Sequence, residues 1–339
     1  MSICFANSQP MLKTQLQEQE NELYSRLKIP QACVPEPLKW QNLRTRAVHL
    51  LEDRTYNIPQ NIFVIKLDQG HAVLGRKLCS VLNRAGEISA INCSRISASM
   101  LLGEPVRDLS SGTTVRVEYY PLTPGEKLSL FCGIRIDRSL EIRFPYHYAD
   151  FQSGLEKVSP PDGWKLRREK IAALAAGERH IRQFNRRFFR RIMHGKEVVY
   201  DPACSTGGFL KDFKDAFPGI HTIGHDLSRE MVDYARDFVD ECCCCNALQS
   251  PLPASSVDIL FLRFLNEEVV SRADAKQLLD ILVPKVKPGG WVVCFGHTPV
   301  LLGREDFIRA GLSMEVSNGY DQESDSIFQY YAMKRGSAS

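Results

Sequence analysis

The run Asp201-Pro202-Ala203-Cys204-Ser205-Thr206-Gly207-Gly208 sets an acid ahead of a string of small residues. Such a loop lets a ligand lie against bare backbone at the carboxyl end of a strand, the usual crevice of an open α/β sheet. A second acid, Asp226, follows Gly207 by nineteen residues, close to the spacing at which a carboxylate can accept hydrogen bonds from a ribose diol. Together the two acids and the loop point to a nucleoside cofactor. A dinucleotide fingerprint would need Gly at 203, 205 and 208, and only Gly208 is present. No Lys follows the glycines directly, which excludes a phosphate-gripping loop.

Three elements must position these groups. Val198, Val199 and Tyr200 read as a short buried strand, Phe209-Leu210-Lys211-Asp212-Phe213 opens a helix, and His221 to Gly224 forms a second strand that delivers Asp226. Further on, Arg304 to Gly311 reads as a helix. Ser313–Val316 and Ser326–Lys334 then read as two strands joined by Asn318-Gly319 and further polar residues. A closing antiparallel pair is not part of an ordinary dinucleotide fold.

This arrangement resembles the class I S-adenosylmethionine-dependent methyltransferases. Val199 to Leu210 is similar to that family's first motif and Gly224-His225-Asp226-Leu227-Ser228-Arg229-Glu230-Met231 to its second. Asn246 to Pro253 with Val257-Asp258-Ile259-Leu260 is similar to the third and fourth, and Val286-Lys287-Pro288-Gly289-Gly290-Trp291-Val292-Val293 is the turn into the fifth strand. The resemblance spans about Glu197 to Arg335. It implies an α/β fold, a Rossmann-like methyltransferase sheet with a terminal antiparallel hairpin, preceded by a smaller α+β N-terminal domain.

The resemblance also implies S-adenosylmethionine as cofactor and gives its contacts. Asp201 would stand near the amino group, with amides from Ala203, Cys204, Ser205 and Gly207 receiving the carboxylate. Asp226 would grip the ribose, Leu227 and Met231 would lie against the adenine, and Asn246, followed by Ala247 and Leu248, would accept from the adenine amino group. Each acid has a plainer reading, because Asp at a strand end also caps helices. Ala203 and Ser205 replace glycines, so either the backbone there avoids positive φ or the loop sits differently.

The acceptor side is less defined. Methyl transfer is an in-line displacement at an activated sulfonium, so the protein has to orient the nucleophile and, for some acceptors, remove a proton. Arg263, Phe264, Asn266 and Glu267 would face the methyl group, and the signature N-P-P-Y of amino methyltransferases is absent. His297 is a candidate base, although a lone His is more often structural. Tyr146, His147 and Tyr148 are candidates for a lid over the substrate. No residue spacing suggests a metal: Cys242 to Cys245 run consecutively, which a regular strand splits between two faces, and they read as small buried strand residues.

The 339 residues divide into a helical appendage over 1–40, an accessory α+β domain over 41–158 and the methyltransferase domain over 159–339. Leu12, Leu16, Leu23 and Leu27 form a short stripe, which suits packing on the chain's own body or a helix shared in a homodimer. A helix is expected over Gln41–Arg54 and another near His71–Asn83. Strands are expected over Asn61–Leu67, Glu87–Cys93, Thr113–Tyr120, Lys127–Ile136 and Ser139–Tyr146.

The net charge of +3 hides a basic stretch, since Trp164–Lys196 holds eleven Lys or Arg against two Glu. Arg182, Arg186 and Arg190 stack four apart, either as a solvated or internally paired face or as a footprint for an anion, RNA or a partner. The N-terminal domain shows no RNA-binding signature, which favours a small-molecule acceptor over nucleic acid or protein, with a non-catalytic cofactor-binding scaffold as a third reading. Met1–Met11 has no signal-peptide pattern and no eighteen apolar residues run together. The eleven cysteines are therefore expected to be reduced, in a cytoplasmic protein without membrane spans.

Overall fold

The computed structural model describes residues 38–53, 62–67, 70–77, 94–111, 114–146, 178–266, 269–296 and 298–336. Two sheets carry these segments. The first contains β1 (His49–Asp53), β2 (Ile62–Lys66), β3 (Ala72–Arg76), β4 (Leu101–Asp108), β5 (Val115–Pro121) and β6 (Glu141–Arg143), in the order β1-β5-β4-β3-β2-β6 with antiparallel neighbours. Helices α1 (Trp40–Leu43) and α2 (Pro124–Ile134) accompany it, and Phe131 and Ile134 of α2 pack on Phe63, Ile65 and Ile142 of the sheet.

Several expectations for this region are corrected. The helix expected over Gln41–Arg54 is only the four residues of α1. The chain then pairs along β5, burying Leu51 while Leu50 faces out, so the long-range ladder outweighs the local helical stripe. Residues expected in a helix after His71 form β3 instead. Lys127–Ile136, expected as a strand, is helical instead, as part of α2 through Ile134. Pro124 occupies the first helical turn, the Thr123 hydroxyl accepts from the Glu126 amide, and the Glu126 carboxylate accepts from the Thr123 amide at 2.8 Å. That capping box starts a helix whatever the β propensity downstream. β4 was not anticipated because Gly103 and Pro105 interrupt its run; the register shifts just after Pro105, a bulge that tolerates the missing donor. The strand expected over Glu87–Cys93, the leucine stripe and the basic residues before Glu178 lie outside the described residues.

The second sheet follows α3 (Arg179–Phe189). It comprises β7 (Val198–Asp201), α4 (Gly208–Ala216), β8 (His221–Asp226), α5 (Arg229–Ala235), β9 (Glu241–Cys244), β10 (Val257–Leu262), α6 (Arg272–Leu282), β11 (Val286–Cys294), α7 (Arg304–Arg309), β12 (Leu312–Asp321) and β13 (Ser326–Arg335). The strand order is β12-β13-β11-β10-β7-β8-β9, parallel from β9 through β11 and antiparallel at β13 and β12. Alternate residues bury on opposite faces. Tyr200, Leu260 and Val292 pack under Leu278, Leu279 and Leu282 of α6, while Val199, Ile259 and Val293 pack under Ile181 and Phe189 of α3 and Phe209 and Phe213 of α4. Two covered faces explain why these strands read as nearly continuous apolar runs.

Asn318-Gly319, expected as the hairpin turn, lie inside β12 opposite Gln329 and Phe328. The Asn318 amide donates to the carbonyls of Asp137 and Leu140 at 2.8 and 3.0 Å, Gln329 and Tyr331 both donate to the Ile142 carbonyl, and Ile96 bridges Ile327. The polar residues of the hairpin thus dock the first sheet on the second instead of making a turn. Cys242–Cys244 lie on β9 as expected, yet β9 is the sheet's edge, so Cys243 is exposed and its neighbours only half-buried. No described helix is long and apolar enough to cross a membrane.

Candidate active site

The order of strands reverses at β7, whose neighbours are β8 on one side and β10 on the other. A crevice forms outside the carboxyl ends at such a point. Asp201 ends β7 and turns the chain by accepting from the Ala203 amide at 3.1 Å. The loop is then laced to β8: the Cys204 amide donates to the His225 carbonyl at 2.7 Å and the Ser205 amide to Asp226 Oδ2 at 2.9 Å. Gly207 takes φ 72°, and Ser205 itself takes φ 53°. Ser205 therefore adopts the left-handed backbone that a glycine would take freely, at a cost of about 1–2 kcal/mol. Beneath the loop, a Cβ on Gly224 would come 2.8 Å from Cys204 Sγ, so only glycine lets the loop rest on β8.

Asp226 is half-buried at the end of β8. Its second oxygen accepts from the Ser228 amide at 2.9 Å, and burial raises its pKa against the pull of these amides. Leu227 beside it keeps 59% of its surface exposed. Met231 is buried with its sulfur 3.8 Å from Ser205 Oγ. Asn246 Oδ1 accepts from the Leu248 amide at 2.9 Å, capping a short turn of helix that buries Ala247.

Asp201 is wholly buried (0% exposed), with Oδ2 3.0 Å from Arg263 Nε in an ion pair whose angle falls short of a hydrogen bond. Burial pushes its pKa up to about 6, opposed chiefly by Arg263. Burial also opposes the Arg263 charge, which Glu178 and Asp201 more than restore. Arg263 Nη1 lies 3.3 Å from both Glu178 oxygens, and its guanidinium covers the Phe209 ring at 4.5 Å. Glu178 also accepts from Arg182 at 3.0 Å, and Arg182 donates to the Gly208 carbonyl at 2.7 Å. Two acids and two guanidiniums thus balance at the mouth of the glycine loop. Sequence reasoning missed Glu178 and Arg182 as members. Their four-residue spacing was readable, but Arg263 stands 85 residues away.

The remaining candidates scatter. Asn266 is buried after β10, donating to Thr298 Oγ1 at 2.6 Å, while its Oδ1 has no hydrogen-bond partner among the described residues. Tyr146 sits on the first sheet, donating to Asp108 at 2.9 Å, and is not brought together with the two acids. His147, Tyr148, Glu267 and His297 lie outside the described residues.

A methyltransferase-domain family profile matches residues 200–294. The chain is also 32% identical over 246 residues to isonocardicin synthase from Nocardia uniformis subsp. tsuyamanensis, covering 73% of this chain and 81% of that protein. The chain belongs to the class I S-adenosylmethionine-dependent methyltransferase family. The 246 aligned residues exceed the second sheet and its helices, so the likeness to that relative reaches into the N-terminal region.

Among solved structures, the methyltransferase is similar to one from Haloferax volcanii in complex with the Trm112 activator, at 19% identity and TM-score 0.38 over 51% of this chain and 100% of that one. It is also similar to an S-adenosylmethionine-dependent methyltransferase from Methanosarcina mazei, at 10% identity and TM-score 0.36 over 44% and 98%. S-adenosylmethionine is the cofactor of this methyltransferase, and the donor set suits it. The Asp226 carboxylate keeps lone pairs beyond the two amides it accepts from, and exposed Leu227 offers apolar surface of the kind a purine covers.

Proposed function

We propose that this methyltransferase moves the methyl group of S-adenosylmethionine to a small-molecule acceptor by in-line displacement. The observation that carries the acceptor class is the fate of the arginines on α3. Arg179 pairs with Glu323, Arg182 with Glu178 and Arg186 with Asp212, so three of the helix's four arginines meet the protein's own carboxylates, while Arg187 and, just past the helix, Arg190 stay exposed with no carboxylate partner among the described residues; two such cations are a short track for a phosphate backbone. The name of the curated relative, a synthase of isonocardicin, agrees with a small-molecule product.

When bound, the cofactor supplies a methyl group on a cationic sulfur. The chain's part is to hold and orient. Asp226 accepts from the ribose hydroxyls, Leu227 covers the adenine, and the amides at the start of α4 favour negative charge. Asn266 Oδ1, buried and unpaired among the described residues, is suited to accept the proton-bearing group of the acceptor. His297 and Glu267 are the candidate bases for an acceptor that must lose a proton. The accessory domain over 41–158 completes the acceptor side.

The test is label transfer. With methyl-labelled cofactor and a fractionated extract, label is expected in the small-molecule fraction together with S-adenosylhomocysteine. Label confined to RNA or protein overturns the acceptor class. Release of methylthioadenosine in place of S-adenosylhomocysteine overturns methyl transfer itself, because it means that the sulfur's bond to the amino-acid chain was the one broken.

A further inference from the structure

Asp201, the acid of the glycine loop, has no surface left for a ligand. Its 0% exposure and its contact with Arg263 spend its charge inside the protein. Two neighbouring side chains keep a small opening: Arg263 is 10% exposed and Glu178 is 12% exposed. They belong to different elements, Glu178 just ahead of α3 and Arg263 just after β10, and they meet at the crevice.

Strand spacing sets what reaches them. Asp226 ends β8, and Arg263 follows β10, two strand steps away across β7. At about 4.8 Å per step this is roughly 10 Å. A ribose held at the end of β8 therefore projects a chain of four or so bonds toward this pair. In the cofactor that chain ends in an ammonium and a carboxylate.

We propose that Glu178 and Arg263 are the seat of the cofactor's amino-acid end, Glu178 accepting from the ammonium and Arg263 donating to the carboxylate, in place of the loop acid Asp201. Asp201 and Arg182 are positioning residues: one fixes Arg263 from below, the other fixes Glu178 and ties it to the Gly208 carbonyl. The four groups are neutral together, and a zwitterion adds one charge of each sign. Each end of the amino acid then meets a side chain of opposite charge.

The inference rests on the cofactor reading, and its test separates the two. Calorimetry compares S-adenosylhomocysteine with methylthioadenosine, which shares adenine, ribose and sulfur but lacks the amino-acid end. Glu178→Gln, nearly isosteric, should weaken S-adenosylhomocysteine by about ten- to a hundredfold, the worth of a hydrogen bond to a charged group. Methylthioadenosine affinity should stay within about twofold, which also reports an intact fold. Arg263→Lys keeps the charge but loses the planar fork and should do the same more mildly. Equal losses for both nucleosides, or no loss for either, overturn the seat. A wild-type protein that binds neither nucleoside removes the cofactor reading, and the seat with it.

Discussion

The close approach of Cys204 to Gly224 makes the loop after β7 and β8 a single packed unit, and adding one methyl group tests this. In Gly224→Ala the new Cβ would lie 2.8 Å from Cys204 Sγ, 3.0 Å from Cys204 Cβ and 3.2 Å from Val239 Cγ1. The sulfur could rotate, but Cys204 Cβ is fixed to a backbone whose amide donates to His225 at 2.7 Å. The loop has to lift. Overpacking of this size costs about 1–3 kcal/mol, and urea denaturation should show it as a lower midpoint at unchanged slope. Lifting also stretches the Ser205–Asp226 bond, so S-adenosylhomocysteine should bind about tenfold more weakly by calorimetry. Cys204→Gly deletes both offending atoms of the loop. The double variant should therefore recover about 1 kcal/mol relative to the sum of the singles. Additive losses with unchanged affinity would refute the contact and its link to the cofactor.

Asp226→Ala removes the acceptor of two backbone amides and, on the proposed reading, the acceptor for the ribose, so cofactor affinity should fall by more than about tenfold in calorimetry; retained affinity would move the ribose elsewhere. Glu126 carries a pH-dependent share of stability, because the paired Arg46 and the Thr123 cap hold its pKa at about 2 against the ordinary 4.5. Its folded pKa is depressed, so the contribution is complete above about 4.5 and disappears as pH falls through about 2. Glu126→Gln should cost about 1 kcal/mol at pH 7, since solvent screens this surface pair, with the gap to wild type closing in acid denaturation series; a pH-independent gap would assign the loss to packing. Titration with mixed RNA should show no salt-sensitive binding, in keeping with the paired arginines of α3, and a steep salt dependence would reopen an RNA acceptor.

The second sheet was legible because its strands bury both faces and its loops carry acids and glycines at fixed intervals, from Asp201 through Asp226 to Gly289-Gly290. The first sheet was harder. Leu50 and Leu51 suit a helix stripe as well as a strand, and only pairing with β5 decides between them. The Thr123-Pro124-Gly125-Glu126 box was a readable helix start that β propensity downstream obscured. At the site, the small-residue loop and the acid nineteen residues on were visible from spacing, whereas the Glu178–Arg263 pair depends on two elements 85 residues apart meeting at one crevice. Ser205 shows the converse: its residue type argued against a left-handed backbone, and the hydrogen bond that its backbone N–H donates to Asp226 accompanies that conformation.

The hairpin side chains that reach across to the first sheet bear on how the molecule melts. Asn318, Gln329 and Tyr331 are buried donors whose acceptors are the carbonyls of Asp137, Leu140 and Ile142. Were the first sheet to open alone, each would exchange its partner for water at about 0.5–1.5 kcal/mol apiece, and Ile327, packed in the first sheet's core, would lose its apolar cover. Heat should therefore take both sheets in one cooperative transition. For the same reason a chain trimmed to 159–339 would bare this face of its own hairpin, and the second sheet is expected to lose stability without the first.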